Sequence, residues 1–174
     1  LEWMDPRLIE THSFDAPTEE ERQRPRMWRY WNALPPKGKI GLLYAAWYED
    51  PIERRFAREI DKGELDQLAE QAVRFEQMLV QEGALVLKFW FHLSEREQQA
   101  RLKKLSKDPA TRWRVSDEER AHLKGYRRYT HAAERTLRQT HTAEAPWAIV
   151  EGTDERYRNL TVGKTLLEAL HKRL

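Results

Sequence analysis

Apolar positions along this chain alternate between helical spacing and short continuous runs, which predicts helices separated by strands. A 3.6-residue period predicts a helix over residues 64–81, ended by Glu82-Gly83. Nearly continuous apolar runs predict strands buried on both faces at residues 40–48 and 84–93, and a further strand at 145–152. This order implies an α/β fold with a parallel sheet and helices on both faces.

Two strongly charged segments lie between the last two strands. Ser94 and Glu97 form a capping box that opens a charged helix over residues 95–105, and Pro109 ends it. A second charged helix is predicted over residues 117–139. Because both are polar and joined by a proline turn, residues 94–139 are interpreted as a protruding helical lid.

The ends of the chain carry weaker signals. Trp3 and Met4 read as the tail of a helix, and residues 9–14 as an extended piece. Thr18 is an N-cap followed by acidic residues, and residues 157–174 predict a closing amphipathic helix.

An aromatic-faced helix is predicted over residues 26–33. The aromatic residues near it favour a packed core over base stacking: Trp28, Tyr30, Trp31, Trp47 and Tyr48.

Composition narrows the class of protein. The chain has 174 residues and a formal net charge of +2, which fits one domain and argues against a nucleic-acid-binding polycation. It has no cysteine, so thiolate metal sites and cysteine nucleophiles are excluded, and the cytoplasm is the expected compartment. Six histidines without an i,i+4 pair do not indicate a metal site. No apolar stretch reaches the roughly 18 residues of a membrane span.

Candidate chemistry lies after the strands, because ligands of open parallel sheets bind at the carboxyl ends of the strands. The basic residues of the presumed lid suit a polyanion such as a chain of phosphates. The alternative is a solvated helix face neutralised by Glu95, Glu97 and Asp108. No Gly-rich phosphate loop occurs, since Gly163-Lys164-Thr165 has Arg158 where the earlier glycine would stand.

A series of separated motifs, in order over almost the whole chain, resembles the polyphosphate kinase 2 family. They are Arg24-Pro25-Arg26-Met27-Trp28-Arg29-Tyr30-Trp31, Leu34-Pro35-Pro36-Lys37-Gly38-Lys39-Ile40-Gly41, Trp47-Tyr48, Phe75-Glu76-Gln77-Met78-Leu79, Leu87-Lys88-Phe89-Trp90-Phe91-His92-Leu93-Ser94, Arg112-Trp113-Arg114-Val115-Ser116 and Ala145-Pro146-Trp147. The motifs near residues 90–94 and 149–163 look most like the amino-terminal half of the two-domain polyphosphate:AMP phosphotransferases.

The resemblance implies a P-loop-kinase fold related to thymidylate kinase, in a single domain over residues 1–174 with a helical lid at 94–139. It implies phosphate transfer between inorganic polyphosphate and AMP or ADP with Mg²⁺, a second domain of the same family, and a homo-oligomer. The family's phosphate loop and its strand would precede Leu1, so residues 1–6 would be the remainder of the following helix. That strand would fill a gap between the strands ending at Tyr48 and Leu93.

The chain departs from the family at the metal centre. The family carries Asp-Arg-Ser-Trp-Tyr after the second strand, where this chain has Tyr44-Ala45-Ala46-Trp47-Tyr48. The Asp serves magnesium and the Arg serves phosphate, so Tyr44 and Ala45 are degenerate positions. We therefore expect this chain to hold no Mg²⁺ and to have no catalytic residue.

Basic positions of the family persist, and the resemblance assigns them to phosphate binding: Arg29, Arg55, Arg101, Arg112 and Arg114. Arg127-Arg128 precedes Tyr129 where the family has an acidic pair, and Leu105 and Thr111 stand where the family usually has basic residues. The resulting hypothesis is a non-catalytic half that docks polyphosphate or has a structural role. The alternatives are a competent kinase domain and a dimerisation or scaffold module without ligand.

Overall fold

The computed structural model describes residues 5–173. They form two compact units, one within residues 1–75 and the other within residues 76–174. The helix tail expected at Trp3 and Met4 lies outside the described residues. No helix in the described range is both long enough and apolar enough to cross a bilayer. The expectation of a single domain over residues 1–174 stays a prediction.

The first unit contains a two-stranded parallel sheet and helices. Strand β1 (Ile9–Ser13) lies beside β2 (Ile40–Tyr44), with Ile9 opposite Ile40 and Ser13 opposite Tyr44. The helices are α1 (Glu19–Arg22), α2 (Trp28–Asn32), α3 (Ala46–Phe56) and α4 (Lys62–Gln81), whose last residues belong to the second unit. Thr18 is the N-cap of α1, as its sequence predicts, and the structure adds a capping box with Glu21.

An aromatic cluster forms the core of this first unit. The Trp47 ring lies 5.8 Å from the Tyr30 ring and 5.1 Å from the Phe75 ring, measured between centroids. All three side chains are buried, whereas Trp31 is 49% exposed. The edge-on arrangement is the one aromatic quadrupoles favour. Core packing is therefore confirmed for Tyr30 and Trp47.

The strand predicted over residues 40–48 was wrong in its second half. β2 ends at Tyr44, and Ala45 turns the chain with a left-handed backbone (φ 61°) into α3. Trp47, Ile52 and Phe56 are all buried on α3, so the apolar run changes period in its middle. A short apolar run cannot by itself distinguish a strand from a helix. Nor is β2 buried on both faces, since Tyr44 is exposed and the other positions are half-buried.

The second unit carries another parallel strand pair with helices in the crossover. β3 (Lys88–His92) pairs with β4 (Trp147–Glu151), and Lys88 lies opposite Trp147. Between them lie α5 (Glu95–Lys107), α6 (Asp117–Lys124) and α7 (Tyr126–Thr140), and α8 (Glu155–His171) follows β4. Gly83, with φ +91°, ends α4 as a glycine stop does.

The parallel α/β class is confirmed. Among the described residues the two strand pairs are separate sheets, with order β1-β2 and β3-β4. The additional strand expected between β2 and β3 stays a prediction.

In the second unit, the strand predicted over residues 84–93, the second charged helix and the closing helix differ from the structure. The strand expected over residues 84–93 is β3 alone and is only partly buried, since Phe91 is 52% exposed. The helix expected over residues 117–139 is broken at Gly125, the poorest helix former in that segment, into α6 and α7. Helix α8 buries no residue and exposes Leu160 and Leu167, so it does not present one cleanly buried apolar face.

A buried ion pair holds the second unit together. Lys88 Nζ on β3 lies 2.7 Å from Glu76 Oε2 on α4, with the side chains 6% and 1% exposed. The same ammonium donates to the Thr140 carbonyl oxygen at 2.6 Å and lies 5.1 Å from the centroid of the Trp147 ring. Trp147 Nε1 in turn donates to Thr140 Oγ1. The network therefore joins α4, β3, α7 and β4.

Replacing Lys88 by Met should lower the free energy of unfolding by about 3–5 kcal/mol, because it removes the cation from a buried carboxylate. The double variant Glu76→Leu/Lys88→Met should recover most of that loss, since no charge is then left buried. Urea unfolding of the wild type, both single variants and the double variant measures the coupling. A fully additive double variant would contradict the pairing.

Candidate functional site

The carboxyl end of β2 offers neither a carboxylate nor a guanidinium at the two positions singled out from the sequence. The Tyr44 side chain is 60% exposed, and Ala45 occupies the left-handed turn before α3. Mg²⁺ in kinases is held by carboxylate oxygens, and phosphate is held by cationic or N–H donors. A phenol and a methyl group supply neither, so these two positions do not fit a magnesium ion.

Arg29 and Arg55, in the first unit, are already engaged within it. Arg29 Nη2 donates to the Asp15 carbonyl oxygen at 2.8 Å, and its Nε lies 3.4 Å from Glu21 Oε1. Arg55 Nη1 donates to the Ile60 carbonyl oxygen at 3.2 Å. Both guanidinium groups thus hold loop backbone, which leaves them fewer donors for a phosphate.

Arg26 is a basic group that sequence reasoning did not single out. Its Nη2 donates to the Trp47 carbonyl oxygen, while Nε and Nη1 are buried without an acceptor among the described residues. Burial lowers the pKa of Arg26, although nearby Asp50 acts in the opposite direction. Its position inside the Arg24–Trp31 motif was the available signal. The arginine connects the turn before α2 to the start of α3.

The carboxyl ends of β3 and β4 lie side by side in close contact. Gly152 N–H donates to the His92 carbonyl oxygen at 2.8 Å, and a Cβ at this glycine would lie 3.1 Å from that oxygen. The Tyr126 hydroxyl donates to the Leu93 carbonyl oxygen at 2.7 Å. Burial raises the pKa of Tyr126 above its ordinary value. The beginnings of α5 and α7 are thereby joined at the end of β3.

The predicted capping box opens α5. Glu97 N–H donates to Ser94 Oγ, and Ser94 N–H and Oγ both donate to Glu97 Oε2, at 3.2 and 2.8 Å. Hydrogen bonds from Ser94, and then from Thr153, lower the pKa of the Glu97 carboxyl. Thr153 N–H also donates to Glu151, and bonds from Thr153 lower the pKa of that carboxyl. Both carboxylates therefore accept hydrogen bonds from residues close to them in the chain.

Residues 94–139, called here the basic arm, carry the other three predicted arginines. Arg101 lies on α5, while Arg112 and Arg114 lie on a 3₁₀ turn (Arg112–Arg114). All three are exposed, and no ion pair links them to a carboxylate within residues 5–173. Lys and Arg outnumber Asp and Glu in the basic arm by nearly two to one, although the whole chain is almost neutral. The structure therefore brings these three arginines into one unit.

A cavity of about 210 Å³ lies between the end of β3 and the basic arm. Its lining mixes aromatic and polar side chains: Trp90, Phe91, His92, Leu93, Gln98, Arg101, Leu102, Glu119, His122, Tyr126, Tyr129 and Thr130. The His122 and Tyr129 rings are 4.5 Å apart within it. Sequence reasoning named only Arg101 of these as a site residue.

The sequence and the fold of this chain match those of known proteins. Residues 1–174 match the family model described as Polyphosphate kinase 2 (PPK2). A polyphosphate:AMP phosphotransferase of Pseudomonas aeruginosa is 50% identical over 173 residues, and one of Pseudomonas syringae pv. tomato is 45% identical. Each of these two alignments covers 99% of this chain but only 35% of the relative's length. An AMP/ADP-polyphosphate phosphotransferase of Meiothermus ruber is 33% identical, and the chain covers 62% of it.

Solved structures agree with the fold. A polyphosphate kinase 2 from Arthrobacter aurescens TC1 superposes with a TM-score of 0.92 at 30% identity, over 97% of this chain and 60% of that one. A putative polyphosphate kinase 2 from Pseudomonas aeruginosa PA01 gives a TM-score of 0.83 at 45% identity, over 99% of this chain and 33% of that one.

Acidification should weaken the start of α5 through Glu97. Because the folded-state pKa of Glu97 is lowered, its contribution to stability is present above the unfolded pKa and is lost as pH falls through the folded pKa. Urea unfolding between about pH 6 and about pH 3 should show a steeper loss for the wild type than for Glu97→Gln. Glutamine keeps an acceptor at this position without titrating, so parallel curves would contradict the assignment.

Proposed function

Because this chain belongs to the polyphosphate kinase 2 family, we propose that it is the polyphosphate-docking half of a polyphosphate:AMP phosphotransferase. Phosphoryl transfer then takes place in a second domain of the same family. The lengths of the relatives support this division. The chain covers 62% of the Meiothermus relative but 35% of the two Pseudomonas relatives, which leaves room in the latter for another domain.

The reaction proposed for the parent protein converts AMP to ADP. An oxygen of the AMP phosphate attacks the terminal phosphorus of polyphosphate, the bond from that phosphorus to the bridging oxygen breaks, and a chain one phosphate shorter leaves with the electron pair. Such a transfer depends on positioning and on neutralising charge, which Mg²⁺ and cationic side chains supply. Those groups must therefore stand together wherever the transfer happens.

The observation that carries the proposal is the contrast between the end of β2 and the basic arm. Tyr44 and Ala45 offer no ligand for Mg²⁺ and no partner for phosphate, so no step is assigned to them. Arg101, Arg112 and Arg114 are exposed and free of ion pairs to carboxylates within residues 5–173. Exposed guanidinium groups without a carboxylate partner can each bind a phosphate of a polyanion, and this binding needs no metal ion.

Arg29 and Arg55 have a smaller part in this proposal. Each already donates to a backbone carbonyl oxygen in the first unit. Their remaining donors can add to polyphosphate binding but would have to do so without leaving those carbonyls. A homo-oligomer, with the second domain present in each chain, belongs to the same proposal.

Long-chain polyphosphate should bind this chain most tightly at low salt and with no need for Mg²⁺, because the binding is ionic. Replacing Arg101, Arg112 and Arg114 together by Ala should weaken binding by about tenfold or more. It should also reduce the slope of log affinity against log salt by about one for each phosphate that the variant no longer neutralises. Titration by calorimetry at two salt concentrations, with and without EDTA, measures both effects.

Arg74→Ala is the matched control, since Arg74 is an exposed arginine on α4 outside the basic arm. It should leave the affinity and the salt slope unchanged. Equally weakened binding in Arg74→Ala would mean diffuse charge attraction rather than a docking surface. Undetectable binding at low salt would instead favour a scaffold or dimerisation module.

A further inference from the structure

Helix α8 carries apolar residues on two opposite faces. Val162 and Ala169 are half-buried on the face that packs within the second unit, where α8 contacts β4. Leu160, Leu167 and Leu170 lie on the other side of the helix and are 57%, 53% and 37% exposed. Packing against this chain's own strands therefore accounts for the first face but not for the second.

The outward positions follow the spacing of two helices that pair. Leu160, Gly163, Leu167 and Leu170, called here the outer seam, are separated by three, four and three residues. This alternation keeps the four positions on one narrow stripe, like the a and d positions of paired helices. The outer seam therefore suits a single opposing helix.

Gly163 lies in the middle of the outer seam and inside the helix. Glycine is a poor residue for a helix interior, so its presence there needs a reason. Apart from the helix's own backbone, no atom of residues 5–173 lies within 4 Å of the place that a Cβ on Gly163 would occupy. Packing inside the chain thus does not require a glycine here. A missing side chain would instead let the axis of a second helix come close.

Charged residues beside the outer seam complement those of a second copy. Lys164 and Glu168 lie one helical turn apart on the same edge of the seam, and neither has an ion-pair partner among residues 5–173. A two-fold axis that relates two antiparallel helices sets this edge against the same edge of the other copy, with its direction reversed. Each Lys164 then faces Glu168 of the other copy. The charges favour a second copy as the occupant and an antiparallel direction.

We propose that the outer seam of α8 is the interface through which two copies of this chain pair, helix against antiparallel helix. The proposal rests on the homo-oligomer of the proposed function and names the surface that forms it, but it does not require polyphosphate. The seam is short and holds three leucines, so we expect a weak dimer that dissociates on dilution. An anionic membrane suits this face less well, since Glu168 beside the seam would oppose its charge.

Sedimentation equilibrium of the purified chain without polyphosphate, from about 10 µM to about 1 mM, measures the dimer. Replacing Leu160 and Leu167 together by Gln should raise the dissociation constant by about tenfold or more, because only the dimer buries both side chains fully. The fold should be unaffected, since both are exposed in the single chain. Leu85→Gln is the matched control, because Leu85 is a partly exposed leucine of the same unit outside α8. It should leave the constant unchanged.

Two further substitutions separate this interface from other kinds of association. Gly163→Leu should raise the melting temperature, since leucine is the better helix former and its side chain enters open space, yet it should weaken the dimer by holding the helices apart. Lys164→Glu should weaken the dimer by like-charge repulsion. The exchanged pair Lys164→Glu/Glu168→Lys should restore it, because opposite charges then face each other again.

A chain that stays monomeric at about 1 mM would overturn the proposal, and so would a dimer that the double Gln variant leaves intact. An exchanged pair that does not restore the dimer would contradict antiparallel pairing. If the wild type but not the double Gln variant bound vesicles of phosphatidylserine and phosphatidylcholine, the seam would belong to a membrane instead.

Pairing and polyphosphate docking can fail separately. The triple Ala variant of Arg101, Arg112 and Arg114 should dimerise like the wild type, because these residues lie outside α8. The double Gln variant should bind polyphosphate with the wild-type salt slope for each copy.

Discussion

Lys88 holds the elements of the second unit together, because its buried ammonium needs hydrogen-bond and charge partners from several of them at once. Glu76 on α4 supplies the counter-charge, the carbonyl of Thr140 at the end of α7 accepts a hydrogen bond, and the Trp147 ring of β4 lies close by. A buried lysine tolerates few alternative arrangements, since leaving it unpaired costs several kcal/mol. The strand that carries Lys88 continues into the basic arm, and α7 returns from the arm to Thr140. Both ends of the arm are thus attached to one rigid point.

Polar side chains near the ends of β3 and β4 differ in use from the arginines farther along the basic arm. Near the strand ends, carboxylates and hydroxyls are used for structure: Glu97 caps α5, Glu151 binds Thr153, and Tyr126 binds the Leu93 carbonyl oxygen. Farther out, Arg112 and Arg114 pair with no carboxylate within the described residues and stand beside an exposed indole. Holding a polyanion is the role that we propose for these two arginines. At the end of β2, Tyr44 and Ala45 offer nothing with which to hold a metal.

Sequence patterns predicted the helix over 64–81 and the Ser94–Glu97 capping box well, because each depends on residues near one another in the chain. They failed where tertiary context decides: the apolar run after Tyr44 becomes α3, and Gly125 breaks a helix whose flanking residues favour one. The family resemblance was confirmed, whereas its assignment of the arginines of the arm to phosphate binding stays a prediction. The internal engagement of Arg29 and Arg55, the buried Arg26 and the Lys88 network needed coordinates, since their partners are remote in sequence.

We propose that this chain binds phosphate chains without transferring phosphate. Formation of ADP from AMP, Mg²⁺ and polyphosphate by the purified chain tests it most directly, with the Arthrobacter polyphosphate kinase 2 as a reference protein that has the same fold. We expect no ADP above the rate seen without protein, under conditions where polyphosphate is bound. Sustained ADP formation by this chain alone would contradict it, because Tyr44 and Ala45 would then stand in a working centre.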